Sequence, residues 1–267
     1  ALDMSQNANV LNYNGTITGT ADYADIANSE VIVVTSGFPR QPGMSREDLI
    51  GKNADIVKQV GTGIREHAPD AVIIMITNPL DLMTYHMQQV TGFPTERVIG
   101  QAGVLDSARM AHFIALELGC AEEDVSPMVL GGHGDTMVPL PKYTTVGGIP
   151  ITQLMSEETI AAISDRTAKG GGEIVKLLER GSAFYAPGSA AAIMAESVLN
   201  DRKRVIPASC HLSGEYGLEN IYIGVPCIIG ANGVEKIFEL ELTESEMESL
   251  HGSANFYKSQ LVDILGY

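Results

Sequence analysis

The chain has 267 residues, 45% of them apolar, and a formal net charge of −16 at pH 7, which together allow a sizeable core and favour two domains over one. The negative charge argues against nucleic acid and against an anionic membrane surface as partners, because both repel an acidic protein. The longest apolar runs have the length of strands, far short of the roughly 20 residues that a membrane helix needs.

The cysteines predict a reducing compartment. Cys120, Cys210 and Cys227 are odd in number, far apart in the sequence and without a C-x-x-C pair. Free thiols in the cytoplasm are therefore expected. The sequence contains no cluster of cysteine and histidine with metal-ligand spacing, so no metal site is predicted.

The first hundred residues alternate between short β-branched runs and helical segments. One helix is predicted from Ser45 to about His67, with Ser45 and Asp48 as a variant of the capping box, and a second from Leu80 to about Val90. The predicted strands are Glu30–Ser36, Ala71–Thr77 and Arg97–Gly100. Continuously apolar strands separated by helices favour an α/β arrangement with a parallel sheet covered on both faces.

The pattern changes after residue 100. A helix is predicted over Ala102–Leu118, and a long amphipathic segment over Ser156–Arg180 is expected to be interrupted at Gly170–Gly172. The other predicted elements are strands within Thr136–Leu140 and Tyr143–Val146, a helix over Ser189–Asn200, paired strands in Arg204–Gly214 and Ile221–Gly230, and a helix from Thr243 to about Leu265. This grouping favours an α+β unit, so we divide the chain into domains 1–100 and 101–267.

Two stretches of the first domain are candidates for ligand contacts. Ligands of open parallel sheets bind beyond the carboxyl ends of the strands, where Thr35, Gly37 and the pair Thr77-Asn78 are predicted to lie. The loop that follows Gly37 contains prolines and glycines and carries Arg40 and Arg46. A loop of this kind is able to close over a cleft as a lid, although a solvated surface loop is the plainer alternative.

A histidine lies among three glycines in "GGHGD", Gly131 to Asp135. A lone histidine is more often structural than catalytic, but these glycines would admit a ligand close to the backbone. Asp106 and Arg109 share a helix face, as they also would in a simple surface salt bridge. If Asp106 meets one ring nitrogen of His133, the imidazolium is favoured and the other nitrogen is free to exchange a proton with a substrate oxygen. With nearby arginines, this set suits an anionic substrate that has a carbonyl or hydroxyl.

Five ordered motifs resemble the lactate/malate dehydrogenase family, and in particular the lactate-dehydrogenase-like malate dehydrogenases of bacteria. They are "VTSGFPRQPGMSREDL", "ITNPLD", "GVLDSAR", "GGHGD" and "GSAFYAPGSAA". The resemblance runs along the whole chain and implies a Rossmann-type parallel sheet followed by an α+β catalytic domain. It also implies that NADH transfers a hydride to the C2 carbonyl of a 2-oxo acid while a histidine donates the proton.

The resemblance assigns roles to individual residues. His133 is the implied acid–base, Asp106 its orienting partner, and Arg109 the arginine that grips the C1 carboxylate through two parallel hydrogen bonds. Arg46 is similar to the lid cation that polarises the carbonyl, and Asn78 to the asparagine that touches both substrate and nicotinamide ribose. The positions similar to the family's other cofactor contacts are Thr35, Gly37, Asn53, Ile76 and Thr77.

Arg40 indicates the substrate. In the family, glutamine at this position goes with lactate and arginine with malate. A closed lid would bury the second carboxylate of oxaloacetate, and only a cation would pair with it. The expected activity is therefore a malate dehydrogenase with NAD as cofactor, and the alternative is a lactate or other 2-hydroxy-acid dehydrogenase.

One part of the family pattern is missing. The family opens with a strand, a G-x-G-x-x-G turn and a helix that binds the pyrophosphate, then a second strand that ends in an acid for the ribose. Neither "GTGIRE" nor "GGGEIV" meets that pattern. The chain is expected to be incomplete at its N-terminus by roughly 40 residues, which would remove the first strand–helix–strand unit. A protein that begins at Ala1 is expected to bind NAD poorly, and NADH binding in the micromolar range would contradict this.

Two alternatives lie outside the dehydrogenases. Some NAD-dependent glycosidases share the broad fold, but they need a metal held by cysteine and histidine, and Cys120 is apart from His133 in the sequence. A scaffold of the same fold without activity would have had no reason to keep the full polar set of arginines, Asp106 and His133. As in relatives, a homodimer or homotetramer is expected.

Overall fold

The computed structural model describes residues 1–38, 45–179 and 181–267, and of Arg46 only the backbone. The helices within these residues are α1 (Leu2–Gln6), α2 (Ala8–Leu11), α3 (Arg46–His67), α4 (Leu80–Thr91), α5 (Gly103–Leu118), α6 (Glu157–Leu178), α7 (Tyr185–Leu199) and α8 (Glu244–Asp263). The strands are β1 (Val31–Val34), β2 (Val72–Met75), β3 (Val98–Gly100), β4 (Val125–Ser126), β5 (Val129–Gly131), β6 (Met137–Pro139), β7 (Thr145–Val146), β8 (Ile149–Pro150), β9 (Arg204–Ser213), β10 (Glu219–Gly230) and β11 (Gly233–Ile237). The three strands and two helices predicted before residue 101 are thus confirmed.

One mixed sheet runs through both predicted domains. Its order is β1-β2-β3-β9-β10-β5-β6. β11 pairs with the last residues of β10, from Cys227 to Gly230. β1, β2 and β3 are parallel to one another, whereas β9 joins β3 antiparallel through the pair Gly100 and Ser209. β4, β7 and β8 form a separate small antiparallel sheet. The junction between β3 and β9 therefore brings the parallel part of the sheet next to the antiparallel part.

Burial follows the position of each strand in the sheet. Every residue of β2 and β3 is buried, as continuous apolar runs in a parallel sheet predict. Val33 of β1 is 41% exposed, because β1 has only β2 as a neighbour among the described strands. The prediction that the sheet is covered on both faces therefore holds for β2 and β3, while β1 is partly open.

The predicted interruption of the long amphipathic segment is wrong. Gly170, Gly171 and Gly172 lie inside the continuous helix α6. Each glycine disfavours a helix by about 1 kcal/mol relative to alanine, but tertiary packing overrides this local preference. The buried positions of α6 are Ile160, Ile163, Thr167 and Gly170, which recur at helical spacing. The face of α6 that packs inward therefore includes the first glycine.

Local signals set the helix starts. The Ser45 hydroxyl accepts from the Asp48 N–H, and the Asp48 carboxylate accepts from the Ser45 N–H, so the predicted capping box of α3 is confirmed. The same reciprocal pair forms at α8 between Thr243 and Glu246, which the sequence analysis did not single out. Ser45, which caps α3, is the first residue after the undescribed segment 39–44.

The three cysteines are free thiols. Although far apart in the sequence, Cys210 and Cys227 are both buried in the β9–β10 pair, with their sulfur atoms 3.4 Å apart. Within the described residues, no helix combines the length and apolarity needed to cross a bilayer.

Candidate active site

The loop that presents His133 follows β5 and is shaped by its glycines. Gly131 and Gly134 have positive φ angles of 85° and 110°, which side chains rarely adopt. A Cβ on Gly132 would lie 2.0 Å from Cε2 of Tyr257 in α8. The three glycines are therefore required by a tight turn packed against α8.

His133 and Asp106 form the predicted pair. Nδ1 of His133 lies 2.9 Å from Oδ2 of Asp106, which is buried on the first turn of α5. The His133 side chain retains 14% exposure. No described residue makes a hydrogen bond to the other ring nitrogen, Nε2, so this nitrogen is available to a bound molecule.

The surroundings of His133 favour its protonated form. Burial alone lowers the pKa of His133, but the charge of Asp106 and its hydrogen bond raise it more, and the net pKa lies above the ordinary 6.5. Arg109 acts in the opposite direction and lowers this pKa. The ring is thus held as a proton donor on the side away from Asp106.

Arg109 lies beside this pair with one donor unsatisfied. Its terminal nitrogen Nη1 is 3.2 Å from Oδ1 of Asp106, and its side chain is only 13% exposed. Nε of Arg109 is buried and has no hydrogen-bond partner among the described residues. An unpaired buried donor costs about 1–3 kcal/mol, a penalty that a bound carboxylate would remove.

The glycines inside α6 make room for Arg109. A Cβ on Gly170 would lie 3.2 Å from Cδ of Arg109, and one on Gly171 would lie 3.4 Å from Nη2. A Cβ on Gly172 would meet nothing within 4 Å. The sequence predicts a helix interruption and a failed nucleotide-binding motif for this triplet, and no local signal shows that two of its members line the arginine.

A second buried carboxylate contacts the main chain of His133. Oδ2 of Asp81, at the start of α4, accepts from the His133 N–H at 2.9 Å, and its Oδ1 accepts from Ser209 Oγ at 2.7 Å. Asp81 lies within the motif "ITNPLD", which assigned it no role. The available signal was a charged residue that opens an otherwise apolar helical segment.

Two side chains of α8 hold the same loop. Ser253 Oγ accepts from the Gly132 N–H at 2.9 Å, and the Tyr257 hydroxyl donates to the His133 carbonyl at 3.2 Å. Together with Asp81, they fix the backbone on both sides of the imidazole. The two contacts from α8 join residues more than 100 positions apart, which no local pattern reveals.

The predicted cofactor residues lie at the carboxyl ends of β1 and β2. Thr35, Gly37 and Asn78 are exposed, and Ile76 is half-buried. A Cβ on Gly37 would lie 2.8 Å from Cγ2 of Thr77, so a side chain there would crowd this edge. Asn78 precedes α4 by two residues, and α4 carries the aspartate that contacts His133. The strand ends and the pair of His133 and Asp106 are therefore joined through the start of α4.

Thr77 and Asn53 use their polar atoms to hold this edge together. The Thr77 hydroxyl donates to the Ser36 carbonyl at 2.7 Å. The Asn53 side chain is buried, accepts from the Phe38 N–H at 2.7 Å and donates to the Asn78 carbonyl at 2.6 Å. Their direct contact with a cofactor stays a prediction, and the observed bonds place them beneath the exposed positions.

Arg40 and the Arg46 side chain lie outside the described residues, so their predicted roles stay predictions. A cavity of about 480 Å³ lies at the opposite edge of the parallel strands, lined in part by Glu30, Val72 and Arg97. It contains none of the predicted site residues. The described residues include no group of three or more His, Cys, Asp or Glu side chains able to hold a metal ion.

Sequence comparisons agree along the chain. A family model described as lactate/malate dehydrogenase, NAD binding domain, matches residues 1–100, and one described as lactate/malate dehydrogenase, alpha/beta C-terminal domain, matches residues 103–265. A malate dehydrogenase of Roseiflexus castenholzii is 54% identical over 98% of this chain and 85% of its own length. One of Rhodopirellula baltica is 53% identical over 97% of this chain and 82% of its own.

Solved structures give the same match in three dimensions. The malate dehydrogenase from Salinibacter ruber has a TM-score of 0.95 and 46% identity, and the match covers 99% of this chain and 84% of that one. The lactate dehydrogenase from Eimeria maxima, solved with NADH and oxamate, has a TM-score of 0.94 and 42% identity, over 99% of this chain and 82% of that one.

Proposed function

The chain belongs to the lactate/malate dehydrogenase family, and we propose that it catalyses reversible hydride transfer between (S)-malate or oxaloacetate and NAD(H). The observation that carries this proposal is the joined set of His133, Asp106 and Arg109, in which a proton donor and an arginine with an unpaired Nε share one carboxylate. Three relatives that exceed 50% identity are malate dehydrogenases, which favours a dicarboxylate substrate.

His133 acts as the acid–base through Nε2. Because Nδ1 is bound to Asp106, the proton that reaches the substrate oxygen leaves from Nε2. The adjacent carboxylate then stabilises the imidazolium whenever the ring recovers its proton. In the direction of malate oxidation, the same nitrogen accepts the proton of the hydroxyl.

Arg109 binds the C1 carboxylate. Its planar guanidinium offers two parallel donors, a geometry that lysine does not reproduce. Contact with Asp106 and with the glycines of α6 fixes its orientation before substrate arrives. Because the guanidinium is already oriented, a substrate bound to it would have its C2 carbonyl next to His133. Holding reacting groups in the right geometry is a major source of rate acceleration.

The edge formed by the ends of β1 and β2 fits the nicotinamide half of NAD. NADH bound there would supply the hydride for C2 of the substrate. Gly37 packs closely against Thr77, and Thr35 and Asn78 are exposed to donate and accept hydrogen bonds. Asn53 and Thr77 hold these positions from beneath, while Ile76 offers an apolar contact. These residues would hold the cofactor next to His133.

Arg40 and Arg46 complete the substrate site in this proposal. Arg40 pairs with the second carboxylate, and Arg46 stabilises the negative charge that develops on the carbonyl oxygen. Support for both comes from the family resemblance and from the identity of the relatives, since neither side chain is described. The division into domains 1–100 and 101–267 likewise stays a prediction, and one sheet connects the two.

Steady-state assays with oxaloacetate and with pyruvate test the proposal. The intact protein should prefer oxaloacetate, and R40Q should shift the ratio of kcat/KM values toward pyruvate by up to about 10⁴-fold. R46K keeps the charge of the lid and serves as a matched control that should retain the preference. A preference for pyruvate in the unaltered protein would favour the lactate dehydrogenase alternative, and no turnover of either substrate would favour an inactive scaffold.

Assembly and location are further parts of the proposal. Exposed apolar side chains on and between α6 and α7, among them Val175, Leu177 and Phe184, support a homodimer or homotetramer. Three free thiols support a cytoplasmic location. The proposed conversion of malate and oxaloacetate supports a role in the tricarboxylic acid cycle. Analytical ultracentrifugation checks the assembly, because a monomer at micromolar concentration would contradict it.

A further inference from the structure

Asp81 is a buried carboxylate whose described hydrogen-bond partners are both uncharged. It is 2% exposed and occupies the first turn of α4. One of its oxygens accepts from the His133 N–H and the other from the Ser209 hydroxyl. No lysine or arginine in the described part of the chain forms an ion pair with it. A buried charge with neutral partners is unfavourable for folding, so its presence calls for an explanation.

A purely structural role does not require the charge. An asparagine at position 81 would have the same shape, and its carbonyl oxygen would accept from the His133 N–H. Its amide would donate to Ser209 Oγ, because a hydroxyl is able to accept as well as donate. Burial raises the pKa of Asp81 above its ordinary 3.8, and the bonds from Ser209 and His133 offset this rise only in part. The protein thus keeps a carboxylate where a neutral amide would make the same contacts at less cost.

Two features favour the ionised form of Asp81. Each of its oxygens lies within hydrogen-bond distance of a donor, so an ionised carboxylate is satisfied at both oxygens without a proton of its own. It also lies at the N-terminus of α4, a helix of 12 residues, where free N–H groups and the helix dipole favour negative charge. This helix has no side-chain cap at its N-cap residue, Pro79.

Asp81 differs from the other groups that hold the His133 loop. Ser253 binds the Gly132 N–H and Tyr257 binds the His133 carbonyl, and both contacts from α8 are made by hydroxyls. Asp81 is therefore the charged member of the set of main-chain anchors that the structure describes. It lies on the side of the histidine main chain that faces α4, whereas Asp106 meets the ring itself.

We propose that Asp81 is a positioning residue for the proposed reaction, which fixes the main chain of His133 and adds a second buried negative charge that favours the imidazolium. This inference rests on the proposed function. In this arrangement His133 is held by two carboxylates: Asp106 contacts its imidazole ring, and Asp81 accepts from its main-chain N–H.

A test of Asp81 has to distinguish its effect on His133 from that of the other charged and titratable groups nearby. α5 contributes Asp106 and Arg109, α4 contributes Asp81, α8 contributes Tyr257, and the loop itself carries the exposed Asp135. Charges on α5 and on the loop stay constant when only position 81 is changed. A change in the titration of His133 in D81N is therefore attributable to the lost carboxylate.

The decisive variants are D81N and, as a matched control, S253A. S253A removes an uncharged anchor of the same loop, so it reports the effect of loosening the backbone alone. The first measurement is an NMR titration of ¹⁵N-histidine, in which the six histidines are resolved and His133 is assigned by its absence in H133Q. This measurement needs neither substrate nor cofactor.

D81N should lower the midpoint of the His133 titration by about half a unit to one unit, whereas S253A should leave it in place. The second measurement is the pH profile of kcat/KM for oxaloacetate. D81N should move the alkaline limb to lower pH and reduce the rate there by up to about tenfold, while S253A should reduce the rate evenly at all pH values.

If His133 titrates at the same pH in D81N as in the unaltered protein, the proposal is overturned and Asp81 has only a structural role. If D81N does not fold, S209A provides the test, because the loss of one hydrogen bond weakens the ionised carboxylate and should shift the His133 midpoint in the same direction by less. An unmoved midpoint in S209A would then overturn the proposal. Failure of the proposed function is distinct, because it appears as absent oxaloacetate turnover while the NMR titration still reports on Asp81.

Discussion

The ends of β1 and β2 and the loop that carries His133 meet at the start of α4, yet different forces hold them. At the strand ends, neutral groups bind backbone atoms, as in the bonds from Thr77 to Ser36 and from Asn53 to Asn78. At the histidine loop, two aspartates and Arg109 are buried around one imidazole. The first arrangement fixes a shape, and the second also sets the protonation of a ring.

The difference has an energetic basis. A neutral hydrogen bond contributes about 1 kcal/mol whatever the pH. Charges in a poorly hydrated site interact more strongly and respond to the protonation of their neighbours. We therefore expect changes on the cofactor side to alter affinity and stability, and changes on the substrate side to alter proton transfer. The following predictions test this division, from the largest expected effect to the smallest.

The largest effect is expected from H133Q. Glutamine keeps a polar side chain but cannot donate a proton as an acid, so kcat/KM for oxaloacetate should fall by about 10³-fold, within the usual range for a lost acid–base. The fold should persist. Because the chain has no tryptophan, circular dichroism rather than tryptophan fluorescence is the appropriate check.

D106N is the companion variant for the substrate side. It should keep the ring contact but lose the charge that raises the pKa of His133, so the alkaline limb of kcat/KM should move to lower pH. An alkaline limb that stays in place in D106N would show that the imidazole is tuned by other groups, and the proposed division between the two sides would fail.

A smaller effect is expected where α6 contacts Arg109. In G170A the new Cβ would lie 3.2 Å from Cδ of Arg109, which displaces the guanidinium and should raise KM for oxaloacetate about tenfold, a change of roughly 1.4 kcal/mol. G172A is the matched control, because its Cβ meets nothing within 4 Å. Both variants should gain up to about 1 kcal/mol of helix stability. Equal KM values in the two variants would show that Gly170 is not needed for the position of Arg109.

The same glycines show what the sequence could and could not predict. The three parallel strands and the capped start of α3 were predictable, because apolar periodicity and capping residues are local, and short motifs pointed to the pair of His133 and Asp106. The glycine triplet was read as an interruption because local preference opposes a helix by only about 1 kcal/mol per residue, and packing decides the outcome. The contact of Asp81 with Ser209 spans 128 positions and depends on the pairing of β3 with β9.

The pH dependence of stability gives the next effect in size. The folded pKa of His133 lies above its ordinary 6.5, so the pair with Asp106 contributes stability that is complete below the unfolded pKa and is lost as pH rises through the folded pKa. Each unit of the shift corresponds to about 1.4 kcal/mol. The difference in unfolding free energy between the unaltered protein and H133Q should therefore decrease from pH 6 toward alkaline pH.

The difference between the two proteins is needed because another histidine has the opposite trend. Burial lowers the pKa of His86, so its contribution is present above its unfolded pKa and is lost as pH falls. His86 is common to both proteins and cancels. Urea unfolding at a series of pH values provides the measurement, and a difference that grows with rising pH would contradict the assigned sign.

The smallest effect is expected on the cofactor side from T77V. Valine keeps the Cγ2 atom that faces Gly37 and removes only the hydroxyl that donates to Ser36 at 2.7 Å. The loss of this one neutral bond should lower stability by about 1 kcal/mol and raise KM for NADH a few-fold. The pH profile should not move, since no charge near His133 has changed. If the pH profile of T77V moved as that of D106N does, the strand ends would also affect the protonation of His133. The proposed division between a cofactor side that fixes shape and a substrate side that sets protonation would then fail.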